Sequence, residues 1–580
     1  MLRVEPIFSA SLKAVKIMDD LLGALARLVA RLEDLERRVS ALESRSFTVA
    51  SSPAQAVVPD KPAATGDELV PPQAENIFSV AGKAMLGIAG AYVLRAVAES
   101  GSFPKLAVIV LALAYAGMWL VWAARAPANA RFTRVAYAVT ASVILAPMLS
   151  ELTLRFQVLS PAVAAGLLAA FVVGAYSLAW RGNLASVVWV AEATAVSTAL
   201  ALMILSHDLA PYIAALLLVA AATELAAARN RWPSLRFLAV PAVDFAVLIL
   251  IYISTLPSSS RPDYAVILPS LLVWFPSFLF LVYGVSIACR TVLLRQKITI
   301  FEITQAVIAF LSGSLGWLWF APGVGRTTLG GACWFLSAAC YTAAFFCFDR
   351  IAEQRNYHVY STWSVALVLA GCFLLLPQIP LVLVLSLASI VAILIGVRVA
   401  RLTLEFHGLI YLTAAALASS LLAYAARALA GTFPTAPGWI VWTVAVSAVV
   451  CYAIGGRFQG ELWNQRLLRL LAAILAVSAV ATFLVSGLVW LAAIGMTPGA
   501  AQVAVIRTLI TCALALALAF SGSRWHRVEL VWTAYGTLAF VTAKLLFEDL
   551  PHGHSGWIAI SIFLYALALI IVPRLTRTSV

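Results

Sequence analysis

The sequence predicts an all-α, polytopic membrane helix bundle preceded by a short cytoplasmic coiled coil. Three observations carry that prediction: composition, the length of the apolar runs, and the sidedness of the charges between them. Of the 580 residues, 63% are hydrophobic and 11% charged, against roughly 25% charged in soluble domains, and the mean hydropathy is +0.97. No soluble fold has enough interior to hide that much apolar surface, so lipid must serve as solvent for most of the chain. The formal net charge is +13. Its Lys and Arg are scattered singly between apolar runs and not gathered into the stripe that a nucleic-acid site needs, so nucleic acid is not an expected partner.

Residues 1–45 carry the first element. Positions 1–17 hold Arg3, Glu5, Lys13 and Lys16 and no uninterrupted apolar core, so a secretory signal is not expected in them. From Met18 through Leu21, Leu25, Leu28, Leu32, Leu35, Val39 and Leu42, apolar residues alternate spacings of three and four, the seam of a coiled coil or, in the alternative, the apolar face of an amphipathic helix lying on the membrane. Arg31 with Glu36 and Arg38 with Glu43 suit parallel strands, so residues 18–43 are expected to join a second copy of the chain or a partner coiled coil. Residues 46–76 follow as a linker, with Pro53, Pro59, Pro62, Pro71 and Pro72 among small and polar residues.

From residue 77 to 573 the chain reads as about eighteen apolar segments of roughly 20 residues, the length that crosses a hydrocarbon core of ~30 Å. Loop charge tests this division. Loops on the side of the N-terminus hold Arg125, Arg131, Arg134, Arg181, Arg229, Arg231, Arg236, Arg290, Arg295 and further Arg and Lys to the end of the chain, while the opposite loops offer Lys105, Arg155, Arg261 and Arg326 diluted by acids. The positive-inside rule then places both termini, including the tail 574–580, in the cytoplasm of a cell whose inner membrane the protein spans.

The loops also limit function. None after residue 77 exceeds about a dozen residues, so no soluble domain is hidden between helices. The string Gly323-Val324-Gly325-Arg326-Thr327-Thr328 lacks the Lys of a phosphate-binding loop, and H-E-x-x-H is absent. His552 and His554, next to Glu548 and Asp549, hold metal-ligand atoms, but the stretch reads as a solvated loop, and no cofactor or metal is called for. Cys333, Cys340 and Cys347 recur every seventh residue, about 10 Å apart along a helix, too far to share a metal, and are expected to form a packing stripe.

Charges inside the apolar runs are the candidate site, because each costs roughly 2.5–3.5 kcal/mol at the bilayer centre and asks for a reason. Glu224, Glu302 and Glu529 lie near the cytoplasmic ends of their spans, and Glu151, Arg427 and Lys544 near the outer ends, where snorkelling to water is expected. Arg95 is expected to pair with Glu99. Lys83, Glu192 and Asp244 lie about 6 to 8 residues deep, at one level, and could form an intramembrane charge cluster that is either an ion or proton site or a structural salt bridge. Glu224, Glu302 and Gln305 are secondary candidates. Pro241, one turn before Asp244, frees backbone carbonyls of the sort that line transporter cavities.

The small-residue run Ala81-Gly82-Lys83-Ala84-Met85-Leu86-Gly87-Ile88-Ala89-Gly90-Ala91-Tyr92-Val93-Leu94-Arg95, then Glu99-Ser100-Gly101 and Pro104, resembles the first hairpin of a bacterial family of very polytopic membrane proteins with N-terminal coiled coils, a domain of unknown function. The resemblance implies a fold and a location and no reaction. The sequence therefore leads to transport or channelling of a small or lipid-linked envelope solute, with a non-catalytic scaffold in envelope biogenesis and a membrane-embedded acyl or glycosyl transferase as the alternatives. An enzyme is the less favoured class.

Overall fold

The computed structural model describes residues 72–100, 105–127, 130–257, 263–348, 354–430, 438–455, 463–494, 499–550 and 555–576. The expected coiled coil at 18–43 and most of the linker lie outside the described residues. The first described helix begins at Pro72, inside the stretch read as linker.

The helices run in order α1 (Pro72–Ser100), α2 (Lys105–Arg125), α3 (Arg131–Ser150), α4 (Pro161–Gly182), α5 (Ala185–Leu205), α6 (Ala210–Ala228), α7 (Arg236–Thr255), α8 (Pro269–Ala288), α9 (Ile300–Phe320) and α10 (Gly325–Thr342). They continue through α11 (Gln354–Leu375), α12 (Gln378–Val399), α13 (Leu402–Ala418), α14 (Leu421–Ala430), α15 (Trp439–Gly455), α16 (Trp463–Ala492), α17 (Ala500–Arg524), α18 (Val528–Lys544) and α19 (Ser555–Thr576). Among the described residues there is no strand. Among the described residues fourteen helices are long and apolar enough to cross a membrane, or fifteen if α13 and α14, which meet at 66°, make one broken span. The first, second and fourteenth of the expected spans fall on shorter apolar helices, Ile77–Val93, Val110–Arg125 and Trp439–Gly455. The described residues thus form an all-helical, multi-pass membrane domain. Large side chains such as Phe237, Phe245, Tyr252 and Phe335 face outward, as lipid-facing positions do.

Buried apolar residues gather into one large core across α2–α9, a second across α11–α16 and a third across α16–α19. Small residues set the helix spacing: Gly87 and Gly90 of α1 lie against Trp119 and Tyr115 of α2, and the Tyr115 hydroxyl donates to the Gly87 carbonyl at 3.1 Å. Cys333 is buried and Cys340 half-buried, but Cys347 is exposed. It sits in a π turn, Ala343–Phe348, whose extra residue rotates the chain and ends the expected stripe.

The tight turns at the Arg-rich end of the bundle share one device. Asn183, Asn230, Arg295, Ala400 and His526 all adopt positive φ, and the helix before each ends by wrapping its carbonyls with the next amides. Two of these turns repeat a sequence: Gly396-Val397-Arg398-Val399-Ala400-Arg401 and Gly522-Ser523-Arg524-Trp525-His526-Arg527. In each the last Arg amide donates to the Gly carbonyl at 2.8 Å. A Cβ on Gly396 would meet the Glu405 amide nitrogen at 2.8 Å, and one on Gly522 the Val531 amide nitrogen at 3.1 Å. The missing side chain is what lets α12 and α17 receive the start of α13 and α18.

Helices α8 and α9 make the same kind of close approach. A Cβ on Gly316 would lie 2.7 Å from the Leu272 carbonyl oxygen, whereas one on Gly313 would lie 3.7 Å from that of Pro276. Gly316→Ala should therefore destabilise the protein by ~1–3 kcal/mol through overpacking. Gly313→Ala should be neutral or slightly stabilising, because Ala is the better helix former by about 0.5–1 kcal/mol. Thermal unfolding of the two purified variants, side by side, checks the contrast.

Candidate functional site

The site is built where α6, α7, α8 and α9 bring their Arg-rich ends together. Its hub is Arg236, the first residue of α7, which is 4% exposed. Its guanidinium donates in three directions: Nε to Glu224 Oε1 of α6 at 2.9 Å, Nη1 to Glu302 Oε1 of α9 at 2.9 Å, and Nη2 to Gln305 Oε1 of α9 at 3.0 Å. Gln305 Nε2 closes the ring by donating to Glu224 Oε1 at 2.8 Å, and Ser286 of α8 donates to Glu224 Oε2 at 2.5 Å.

Local chain chemistry places each partner. Thr299 caps α9, and its amide and hydroxyl donate to Glu302 Oε2 at 2.7 and 3.0 Å, so the carboxylate is fixed in the first helical turn, where the dipole favours an anion. Arg290 lies in the π turn Cys289–Leu293 that follows α8, and it pairs with Glu302. There a cation complements the end of a helix. Arg236 also lies over the Phe301 ring, 5.7 Å from its centroid. Two guanidiniums and two carboxylates balance formally, and each is held by hydrogen bonds as well as charge, as buried ion pairs require.

The secondary candidates Glu224, Glu302 and Gln305 are thus brought together, but not by snorkelling. Glu224 and Glu302 are each 1% exposed, and Glu529 is 5% exposed. The expectation of escape to water is corrected: all three are buried, and Glu224 and Glu302 are held by Arg236 from the neighbouring helix. Arg236 and Arg290, read in the sequence as loop charges that report topology, supply the charge. A signal was present, because Arg236 directly precedes an apolar run and shares the Arg-rich end with two acids.

Glu192 and Asp244, by contrast, occupy separate pockets of polarity, and Lys83 is exposed on α1. Among the described residues the three are not partnered with one another. Glu192 of α5 is fully buried, and its Oε2 stands 2.6 Å from the Tyr176 hydroxyl of α4 and 3.2 Å from the Thr223 hydroxyl of α6. Trp232, held at positive φ in the turn before α7, packs edge-on against Tyr176 and fixes its ring. Asp244 of α7 accepts from the Tyr283 hydroxyl of α8 at 3.1 Å. Because Thr223 and Glu224 are neighbours on α6, that helix presents one polar residue to Glu192 and the next to the Arg236 ring.

Asp244 also lines a groove of about 310 Å³ between α7 and α9. Its walls include Pro241 and Phe245 from α7 and Phe301, Thr304 and Gln305 from α9. Gln305 therefore belongs both to the groove and to the charge ring.

A second buried set lies at the opposite end of the bundle. Lys544 of α18 donates to Asp549 Oδ1 at 2.6 Å, to the Thr508 hydroxyl at 3.0 Å and to the Ala504 carbonyl of α17 at 2.9 Å. Arg507 pairs with Glu548 and donates to the Ala428 carbonyl at 2.7 Å, which satisfies the carbonyl end of α14. Lys544 and Asp549 are buried, so the expectation of a snorkelling lysine is corrected, and that of a solvated acidic loop is corrected for Asp549, which a π turn, Leu545–Asp549, turns inward. Arg507, seven residues into an apolar run, is the signal that reading the sequence missed. Arg95 pairs with Glu151 at 2.9 Å. His552 and His554 lie outside the described residues, among which no three His, Cys, Asp or Glu stand close enough to hold a metal.

The sequence matches no family model, no curated protein and no solved structure.

Arg236→Ala would leave Glu224 and Glu302 short of a cation, a loss of about 3–5 kcal/mol for a broken buried pair. Arg236→Lys should fail nearly as badly, since an ammonium cannot reproduce the planar fork that answers three acceptors. The double variant Arg236→Met, Glu224→Gln removes one charge of each sign, leaves Glu302 with Arg290, and should recover much of the folded yield. Size-exclusion profiles of the three proteins in detergent measure this, and equal behaviour of all three would contradict the assignment.

Proposed function

We propose that the protein transports or channels a small or lipid-linked envelope solute across a bacterial inner membrane, with the α7–α9 groove as its site. In this reading the chain has about eighteen spans, both ends are cytoplasmic, and residues 18–43 pair it with a second copy or a partner. The resemblance of residues 81–104 to the polytopic coiled-coil family supports the location.

One observation carries the functional reading: Asp244 lies in the wall of a largely apolar groove that opens between two helices. An apolar chain fits such walls, and a carboxyl among them gives a donor-bearing head something to bind. Pro241 lies within α7 in the groove wall, and a proline inside a helix leaves a backbone carbonyl free one turn back. The balance of charge around Arg236 supports a second reading, the scaffold, because such a ring needs no solute to account for it.

Mass spectrometry of what co-purifies with the protein separates the two. The wild type should carry a species enriched above its share of the bulk lipid, and Asp244→Asn should keep its folded yield while losing about tenfold or more of that species. That factor is what one hydrogen bond to a charged group contributes, roughly 1.5–3 kcal/mol. Equal retention by both proteins would remove Asp244 from the site. If neither carries anything enriched, and deletion of residues 18–43 abolishes the cellular phenotype, the scaffold stands.

A further inference from the structure

We infer that Glu192 is a proton-binding site, a carboxyl that stores one exchangeable proton in the core of the bundle. The inference comes from counting hydrogens around three oxygens. Glu192 is 0% exposed, and its Oε1 has no hydrogen-bond partner. The Tyr176 hydroxyl stands 2.6 Å from Oε2 and 3.0 Å from the Thr223 hydroxyl, which itself lies 2.9 Å from the Val219 carbonyl oxygen.

Suppose first that the carboxyl is ionised. Tyr176 donates to Oε2, Thr223 has one hydrogen to divide among three acceptors, and a charged Oε1 is left bare in a medium that solvates it poorly. Among the described residues no cation pairs with Glu192, and Arg231, in the turn after α6, donates to the Trp180 carbonyl and lies over its ring. The helices packed on α5 include α3, α4, α6 and α7. Arg134 of α3 is turned to the Ala126 carbonyl, Arg181 at the end of α4 is exposed, and Glu224 of α6 adds negative charge. Arg236 of α7 is engaged by Glu224 and Glu302, and Asp244 by Tyr283.

Suppose instead that Oε2 carries a proton. Glu192 then donates to Tyr176, Tyr176 to Thr223, and Thr223 to the Val219 carbonyl. Each hydroxyl donates once and accepts once, the chain ends on a backbone acceptor, and the unpartnered Oε1 becomes a neutral carbonyl oxygen, the cheapest atom of the set to leave bare. The balance is simple: one proton taken up converts the carboxylate to the acid, the Tyr176 hydrogen turns from Oε2 to the Thr223 hydroxyl, and no other covalent bond changes. Under the transport reading, on which this extension rests, the proton is the ion that accompanies the solute. The proton site itself stands without that reading.

Infrared difference spectra of the protein in lipid nanodiscs near neutral pH test it. Wild type minus Glu192→Gln should show one protonated-carboxyl C=O band that shifts slowly in heavy water, and Tyr176→Phe should move the frequency of that band by removing its partner. A difference spectrum with carboxylate bands instead would overturn the assignment. If Glu192→Gln does not fold, Tyr176→Phe decides alone: a shifted carboxyl band supports the site, and an unshifted or absent one overturns it. A band found in a protein that carries no enriched solute keeps Glu192 as a proton site and sinks only the coupling to transport.

Discussion

A guanidinium held out of water must have its donors answered by the protein, and Arg236 is where this molecule meets that demand. Acceptors from α6 and α9 surround it, and Ser286, Arg290 and Thr299 complete the shells of those acceptors. The interaction is directional in a way that apolar contact is not. Greasy surfaces of α6–α9 pack in many registers with similar energy, but few bring Glu224, Glu302 and Gln305 to one side chain. The ring accordingly sets which helices are neighbours and leaves hydrophobic burial to hold them there. This is the use of buried charge most easily reconciled with its desolvation cost.

From that ring the polar features extend in two directions. Through α6, Thr223 stands beside Glu224 and reaches Glu192 and Tyr176. Through Gln305, the ring becomes part of the groove that Asp244 also lines. A proton on Glu192 and an occupant in the groove would thus sit on either side of one charge-balanced structure, which gives the transport reading a physical basis. At the other end of the bundle, Arg507 and Lys544 serve the broken pair α13–α14 and the π turn after α18, so the two ends solve the same problem with different helices.

The sequence made the class of fold plain, because hydropathy over twenty residues responds to the one property a bilayer selects most strongly. The charged residues of the site were legible only in part. Glu192, Asp244, Glu224, Glu302 and Gln305 stood out as polar residues inside or at the edge of apolar runs. Their partners did not, because Arg236 and Arg290 have the same sequence context as Arg residues that merely mark a loop. Depth counted along a helix also misled for Lys83. Residues at one depth meet only if their helices face each other, and α1 turns Lys83 outward. The π turns at Cys289–Leu293 and Leu545–Asp549 shift register by one residue, and no composition signal announces them.

A density map of the protein in lipid nanodiscs, at a resolution that shows side chains, tests the central claim most directly. It should show the Arg236 guanidinium within hydrogen-bond distance of Glu224, Glu302 and Gln305, with elongated density in the groove beside Asp244. Arg236 pointing to the headgroups, with Glu224 and Glu302 apart, would contradict it.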